Sequence, residues 1–342
     1  MSFNVSIRAD ASSSIGYGHV MRCLTLAQEL KRKGATVEFI SRSDEGNLNN
    51  FLRQNQFPVI ELTSLVFDKE VDAHETASVI SNCQLLIVDH YIIDVHWEQV
   101  LVKYVDHIMV IDDLANRNHN CDFLLDQNFY LDHDRYRGLV PSDCIQFLGP
   151  EYALLRQEFL KLRTNEINIP IRKVVMFFGG ADSKNVTEKA LKALLMLGLN
   201  IEINVIMGKA NPNLRKVLAE FAEYENIHFH IQIDYIAELM RTSDLAIGAG
   251  GATNWERFCM GLPSLVITTA DNQLETTIDL EKSGLIYYLG HYNSISMKDI
   301  VSSFSEIIDN NEELIEMSSK VRKLVDGRGV EKTVNELLNF LL

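Results

Sequence analysis

VSIRADASSSIGYGHVMRCLTLAQELKRKG, residues 5–34, contains an apolar run ending at Asp10, a loop of serines and glycines, and a stretch with helical spacing. Val20, Leu24, Ala27 and Leu30 recur at three- and four-residue steps, which puts them on one face of a helix over 19–33. Lys31, Arg32 and Lys33 fall at its end, where positive charge complements the helix dipole, and Gly34 stops it. Strand, loop and helix in that order make one β-α unit.

The unit repeats along the chain. TVEFISR (36–42), LLIVDHY (85–91) with a helix near 94–104, and HIMVIDD (107–113) continue it. LRTNEINIPIRK (162–173) then interrupts the pattern with polar residues and a proline, and reads as an interdomain linker. Beyond it come KVVMFFGG (173–180), IEINVIMG (201–208), IHFHIQI (227–233), DLAIGAGG (244–251) and LPSLVIT (262–268), separated by helical stretches near 186–197, 213–223, 235–242 and 252–260. Such alternation builds parallel sheets covered by helices. The expected fold is α/β: two Rossmann-like, doubly wound domains, 1–165 and 166–342, facing a cleft lined by the loops at the carboxyl ends of the strands.

With 342 residues, 46% of them hydrophobic, the chain is long enough for two cores. A formal charge of −15 argues against nucleic acid or an anionic membrane as a partner, so any anion must be held locally. Cys23, Cys83, Cys121, Cys144 and Cys259 are scattered and never spaced C-x-x-C, which supports neither a disulfide framework nor a zinc site. No apolar stretch approaches the roughly 20 residues that span a bilayer, and MSFNVSIRAD at the start lacks the look of a signal peptide. A soluble, cytoplasmic monomer is expected.

Gly16 and Gly18 let a ligand approach the backbone, and the helix beginning near His19 offers unpaired N–H groups to an anion. The loop lacks the Lys-Ser/Thr pair of a P-loop, and Met21 breaks the G-x-G-x-x-G fingerprint. A tight strand-to-helix turn explains a lone G-x-G equally well. Histidines titrate near neutral pH, so His19 is a candidate acid or base; a residue that only packs or caps is the plainer alternative. Arg22, on about the same helix face, suits a phosphate or carboxylate, or a structural ion pair.

Asp89, His90 and Tyr91 end one strand, Asp112 and Asp113 another, and Asp10 a third. Adjacent strand residues point in opposite directions and rarely share one ion, so structural or substrate hydrogen bonds are expected here and no metal. In the second half Gly250 and Gly251 admit a diphosphate to a helix start, and Thr253 adds a hydroxyl. Glu256, one turn on, suits ribose hydroxyls, although an ordinary surface glutamate has the same spacing. Asn272 and Gln273 can donate and accept where a sugar hydroxyl or acetamido group would lie.

Taken together, GYGHVMRCLTLA (16–27), VDHY (88–91), IDDLANR (111–117), FFGGAD (177–182) and GAGGATNWERFCMGLPSLVI (248–267) resemble the UDP-2,4-diacetamido-2,4,6-trideoxy-β-L-altropyranose hydrolases of pseudaminic acid biosynthesis. GGATNWE followed by DNQ is similar to the nucleotide-sugar signature of the peptidoglycan N-acetylglucosaminyltransferase, within the wider GT-B group. The resemblance implies a GT-B fold with UDP held mainly by the C-terminal half, at Gly179, Ile233, Gly250, Gly251, Ala252, Thr253 and Glu256. Glu256 would bind ribose there, and the backbone at Ile233 would read uracil. His19 would position or activate water at the anomeric carbon; Tyr91 and Asn272 would contact the substrate, with Gly16, Gly18, Arg22 and Gln273 also in its site. It implies a UDP-sugar substrate, no cofactor and no metal, and release of UDP and the free sugar with inversion. A transferase using the same donor for surface polysaccharide, and a nucleotide-sugar binder without chemistry, are the alternatives.

Overall fold

The computed structural model describes residues 3–13, 15–64, 66–164 and 168–341. They form two units, one of Met1–Asn128, Asp132–Leu155 and Arg328–Leu342, the other of Phe129–Leu131 and Arg156–Gly327. The first contains β1 (Asn4–Ala9), α1 (Gly18–Arg32), β2 (Thr36–Arg42), α2 (Asn49–Gln54), β3 (Val59–Leu62), α3 (Lys69–Val79), β4 (Cys83–Asp89), α4 (Val95–Leu101), β5 (Val105–Ile111), β6 (Phe123–Asp126) and β7 (Ile145–Leu148). The second contains α5 (Gln157–Leu162), β8 (Lys173–Phe177), α6 (Val186–Met196), β9 (Glu202–Met207), α7 (Leu214–Glu220), β10 (Ile227–Ile231), α8 (Ile236–Arg241) and β11 (Leu245–Ala249). It continues with α9 (Thr253–Cys259), β12 (Ser264–Thr268), α10 (Leu274–Lys282), β13 (Tyr287–His291), α11 (Met297–Asp309) and α12 (Asn311–Leu324). The last helix, α13 (Gly329–Leu341), returns to the first unit.

Each sheet is parallel throughout, in the order β3-β2-β1-β4-β5-β6-β7 and β10-β9-β8-β11-β12-β13. Burial on both faces explains why the strands read as unbroken apolar runs. In β4, Leu85 and Ile87 pack with α1 and α13 in one core, while Leu86 and Val88 join α3 and α4 in the other. Strand order reverses beside β1 in the first sheet and beside β8 in the second. Loops at such switch points, after β1 and β4 and after β8 and β11, are where open α/β sheets bind ligands.

The two units depart from the expected 1–165 and 166–342. The chain changes unit at Leu155/Arg156, upstream of the stretch read as a linker, and returns at Gly327/Arg328. Residues 165–167 of that stretch lie outside the described residues. Its start is anchored within the second unit: Phe159 of α5 is fully buried, and Arg163 donates to the carbonyls of Cys259 and Arg322. Helix α13 belongs to the first unit because Val330, Val334 and Leu337 need a core, and that of α1 receives them. Gly329 permits the approach, since a Cβ there would stand 2.5 Å from the backbone of Ala153.

Candidate active site

In the first unit the β1–β4 pairing carries Asp89, the last residue of β4, to the start of α1. His19 Nδ1 lies 2.6 Å from Asp89 Oδ1. Arg22 grips the same carboxylate with both arms, Nε to Oδ2 at 2.6 Å and Nη2 to Oδ1 at 2.7 Å, and Nη1 reaches Asp113 at 3.1 Å. Burial alone would raise the Asp89 carboxyl, but the charges of Arg22 and then His19 outweigh it and hold the group far below the usual carboxylate range. An ionised carboxylate can only accept, so a neutral His19 ring carries its proton on Nδ1 and leaves the Nε2 lone pair for another. That is the arrangement of a general base held by an orienting carboxylate.

Tyr91 places its ring edge-on to His19, centroids 4.5 Å apart, and is 38% exposed. Gly16 has φ +87°, a left-handed conformation that favours glycine, and a Cβ on Gly16 or Gly18 would meet nothing within 4 Å, so both border open space. Tyr17, between them, caps α1 with ordinary dihedrals and turns outward, 43% exposed. Arg22 takes the ion-pair role that its sequence reading held open beside a phosphate contact. Its guanidinium is committed to Asp89 and Asp113, and the side chain is 11% exposed.

The remaining acidic strand ends have cations of their own. Arg8, fully buried, bridges Asp10 at 2.7 Å and Asp72 at 2.6 Å, and Trp97 donates its indole N–H to Asp72. Asp112 pairs with Arg117 at 2.7 Å. His90 stacks on Phe67 and accepts the Ile92 N–H at Nδ1; burial, with Arg8 nearby, pushes it down to about 4. Among the described residues no group of three or more His, Cys, Asp or Glu side chains is placed to hold a metal ion.

In the second unit the loop after β11 passes so close to α10 that Gly250 is required. A Cβ there would stand 2.5 Å from Thr277 Oγ1 and 3.3 Å from Thr268 Cγ2. Gln273 lies beside it, with Oε1 accepting the Thr269 N–H at 2.9 Å and Nε2 3.6 Å from where a Gly251 Cβ would be. Its amide thus presents a donor toward the glycines. Ala252 and Thr253 open α9, and Glu256 lies in its first turn. Burial raises the Glu256 carboxyl against the pull of Arg156, 3.7 Å away, and its Oε2 meets no donor. Asn272 is exposed in the 3-10 turn Asp271–Gln273. Gly179, at φ +90°, follows β8 with open space at its Cβ position. Ile233, half-buried, follows β10 after the left-handed Gln232.

His19, Arg22, Asp89 and Tyr91 therefore form one cluster, and Gly250, Gly251 and Gln273 another, in different units. Two partners escape sequence reasoning. Asp89 stands 70 residues from His19, and only the β1–β4 pairing joins them. Arg257, beneath the second glycine loop, carries only the signal of a charge in an otherwise buried helix.

A family model described as the glycosyltransferase family 28 C-terminal domain matches residues 174–333. A UDP-2,4-diacetamido-2,4,6-trideoxy-β-L-altropyranose hydrolase of Campylobacter jejuni is 33% identical over 288 residues, 82% of this chain and 97% of its own. The spore coat polysaccharide biosynthesis protein SpsG of Bacillus subtilis is 24% identical, covering 96% of this chain and 95% of its own. Among solved structures, MurG of Acinetobacter baumannii superimposes with a TM-score of 0.70 over 99% of this chain and 100% of its own, at 13% identity, so the fold is of the GT-B class. By its identity and coverage against the Campylobacter enzyme, this chain belongs to the UDP-2,4-diacetamido-2,4,6-trideoxy-β-L-altropyranose hydrolase family.

Proposed function

We propose that the protein hydrolyses the sugar C1–O bond of a UDP-linked 2,4-diacetamido-2,4,6-trideoxy sugar, giving UDP and the free sugar with inversion. The observation that carries this reading is the His19–Asp89 pair, a histidine held by a carboxylate that is itself kept ionised by Arg22. Water attacks C1, its proton passes to His19 Nε2, and the electrons of the C1–O bond leave with the diphosphate. Asp89 fixes the ring and offsets the charge it acquires. The diphosphate is a good leaving group once its charge is stabilised, which falls to backbone N–H groups at 250–253 and the Gln273 amide. Glu256 and Ile233 bind ribose and uracil; Gly179 borders the same ligand; Tyr91, Asn272, Gly16 and Gly18 border the sugar. Arg22 serves through Asp89.

No metal has a part in this scheme, and turnover is expected to persist in chelator. The reading extends to a cytoplasmic monomer acting in pseudaminic acid biosynthesis for flagellin or surface polysaccharide, a context supported by the resemblance rather than by geometry. A glycosyltransferase would use the same donor residues; family membership favours water over a sugar hydroxyl.

The test is turnover of the UDP-sugar without any acceptor. His19→Asn and His19→Leu are expected to lose about 10³-fold in kcat, and Asp89→Asn at least about 10²-fold, while UDP still binds. Near-normal kcat in either His19 variant would remove that residue from the reaction.

A further inference from the structure

Arg257 of α9 is 2% exposed, and among the described residues its guanidinium hydrogen-bonds to neutral acceptors. Nη2 donates to the Ala249 carbonyl at 2.9 Å and to Asn254 Oδ1, and Nε has no acceptor. Among the described residues no carboxylate hydrogen-bonds to it; Glu256, the residue before it, acts on it through space. The contrast is Arg8, equally buried but clamped between Asp10 and Asp72. A buried cation without an anion is costly, and an anion arriving nearby offsets that cost.

Its position says which anion. The Arg257 guanidinium fills the space that a Cβ on Gly248 would need, and the carbonyl it holds, Ala249, immediately precedes Gly250 and Gly251. The charge therefore sits beneath the backbone that leads into the glycine loop. Burial pushes Arg257 down to about 10, which leaves it protonated at neutral pH. In a chain of net charge −15, a local cation screened from water is an effective way to hold a polyanion.

We propose that Arg257 is a positioning residue for the diphosphate, a buried counter-charge that favours the ligand at 250–253 through its field without touching it. This rests on the UDP-binding reading given above. It separates the roles of the loop: backbone and Gln273 make the contacts, and Arg257 makes the loop selective for charge.

The experiment measures binding of uridine, UMP and UDP to the wild-type protein, Arg257→Met and Arg257→Lys. In Arg257→Met the preference for UDP over uridine is expected to shrink at least about tenfold, with UMP between them and uridine little changed. Arg257→Lys is expected to restore most of that preference at pH 7. Its buried ammonium deprotonates more readily than a guanidinium, so its preference for UDP should decline from pH 7 to 9 while the wild type stays flat. The lysine variant keeps the test open if the methionine variant does not fold. Equal weakening of all three ligands, or an unchanged UDP-to-uridine ratio, would mean that Arg257 only supports the loop and would overturn the assignment. Wild-type protein that binds none of the three would overturn the UDP-binding reading and this assignment with it.

Discussion

Asp89 and His90 are neighbours at the end of β4 and are treated in opposite ways. Asp89 is kept charged by Arg22 and His19, and His90 is kept neutral by burial beside Arg8. The first is a condition for base catalysis, and the second has a price in acid. His90 is pushed from the ordinary histidine value of 6.5 down to about 4, so between those values the unfolded chain takes up a proton that the folded one refuses. A depressed histidine pKa makes stability fall as pH drops from 6.5 toward 4 and leaves it unaffected above 6.5. Going from pH 7 to pH 5 is expected to cost about 2 kcal/mol through this group. Urea unfolding of wild type and His90→Gln at the two pH values checks it: the variant should lose about 2 kcal/mol less between them. Identical pH dependence would show that His90 is protonated without penalty in the folded protein.

Helix α13 lies beyond the last element named from the sequence, and only the expected boundary 166–342 gave it a place. Val330, Val334 and Leu337 have the spacing of a buried face, but chain order assigns that face to the second unit, whereas the structure buries it against α1. Leu337→Ala is expected to cost about 2–5 kcal/mol in the first unit. Hydrogen exchange should then show lost protection in α1 and β1, with β8 and β11 unchanged; loss confined to β8 and β11 would place the helix in the other core. The same distinction separates what was readable from the sequence. Strands β1, β2, β4, β5 and β8 to β12 and helices α1, α4 and α6 to α9 were, because apolar runs closed by Asp or Gly and helical spacing are local signals; β3, β6, β7, β13 and the other helices were not singled out. The His19–Asp89 pairing and the unit boundaries were not, because they depend on strand order and on which of two cores accepts a helix. Arg22 was ambiguous for the same reason: its chemistry suits a phosphate or a carboxylate, and only the β1–β4 neighbourhood supplies the carboxylate.

Over the whole molecule one topology is used twice with different chemistry. In each unit the loops of the candidate site follow the strands at the switch point: β1 and β4 bring His19 to Asp89, and β11 brings the glycines to Gln273. In the first unit Arg8 is paired with Asp72 and Arg22 with Asp89, whereas among the described residues no carboxylate hydrogen-bonds to Arg257 in the second. That difference fits the roles proposed above, proton transfer at His19 in one unit and a diphosphate in the other, in a chain whose net charge of −15 would otherwise repel an anion. In the proposed reaction His19 directs water to C1 of the sugar. Turnover of the UDP-linked diacetamido trideoxy sugar in heavy-oxygen water, with chelator and no acceptor, followed at once by mass spectrometry of both products, reads which atom the water attacks. The expected result is the label in the free sugar and none in UDP. Label in UDP would mean attack at phosphorus and would contradict the role assigned to His19.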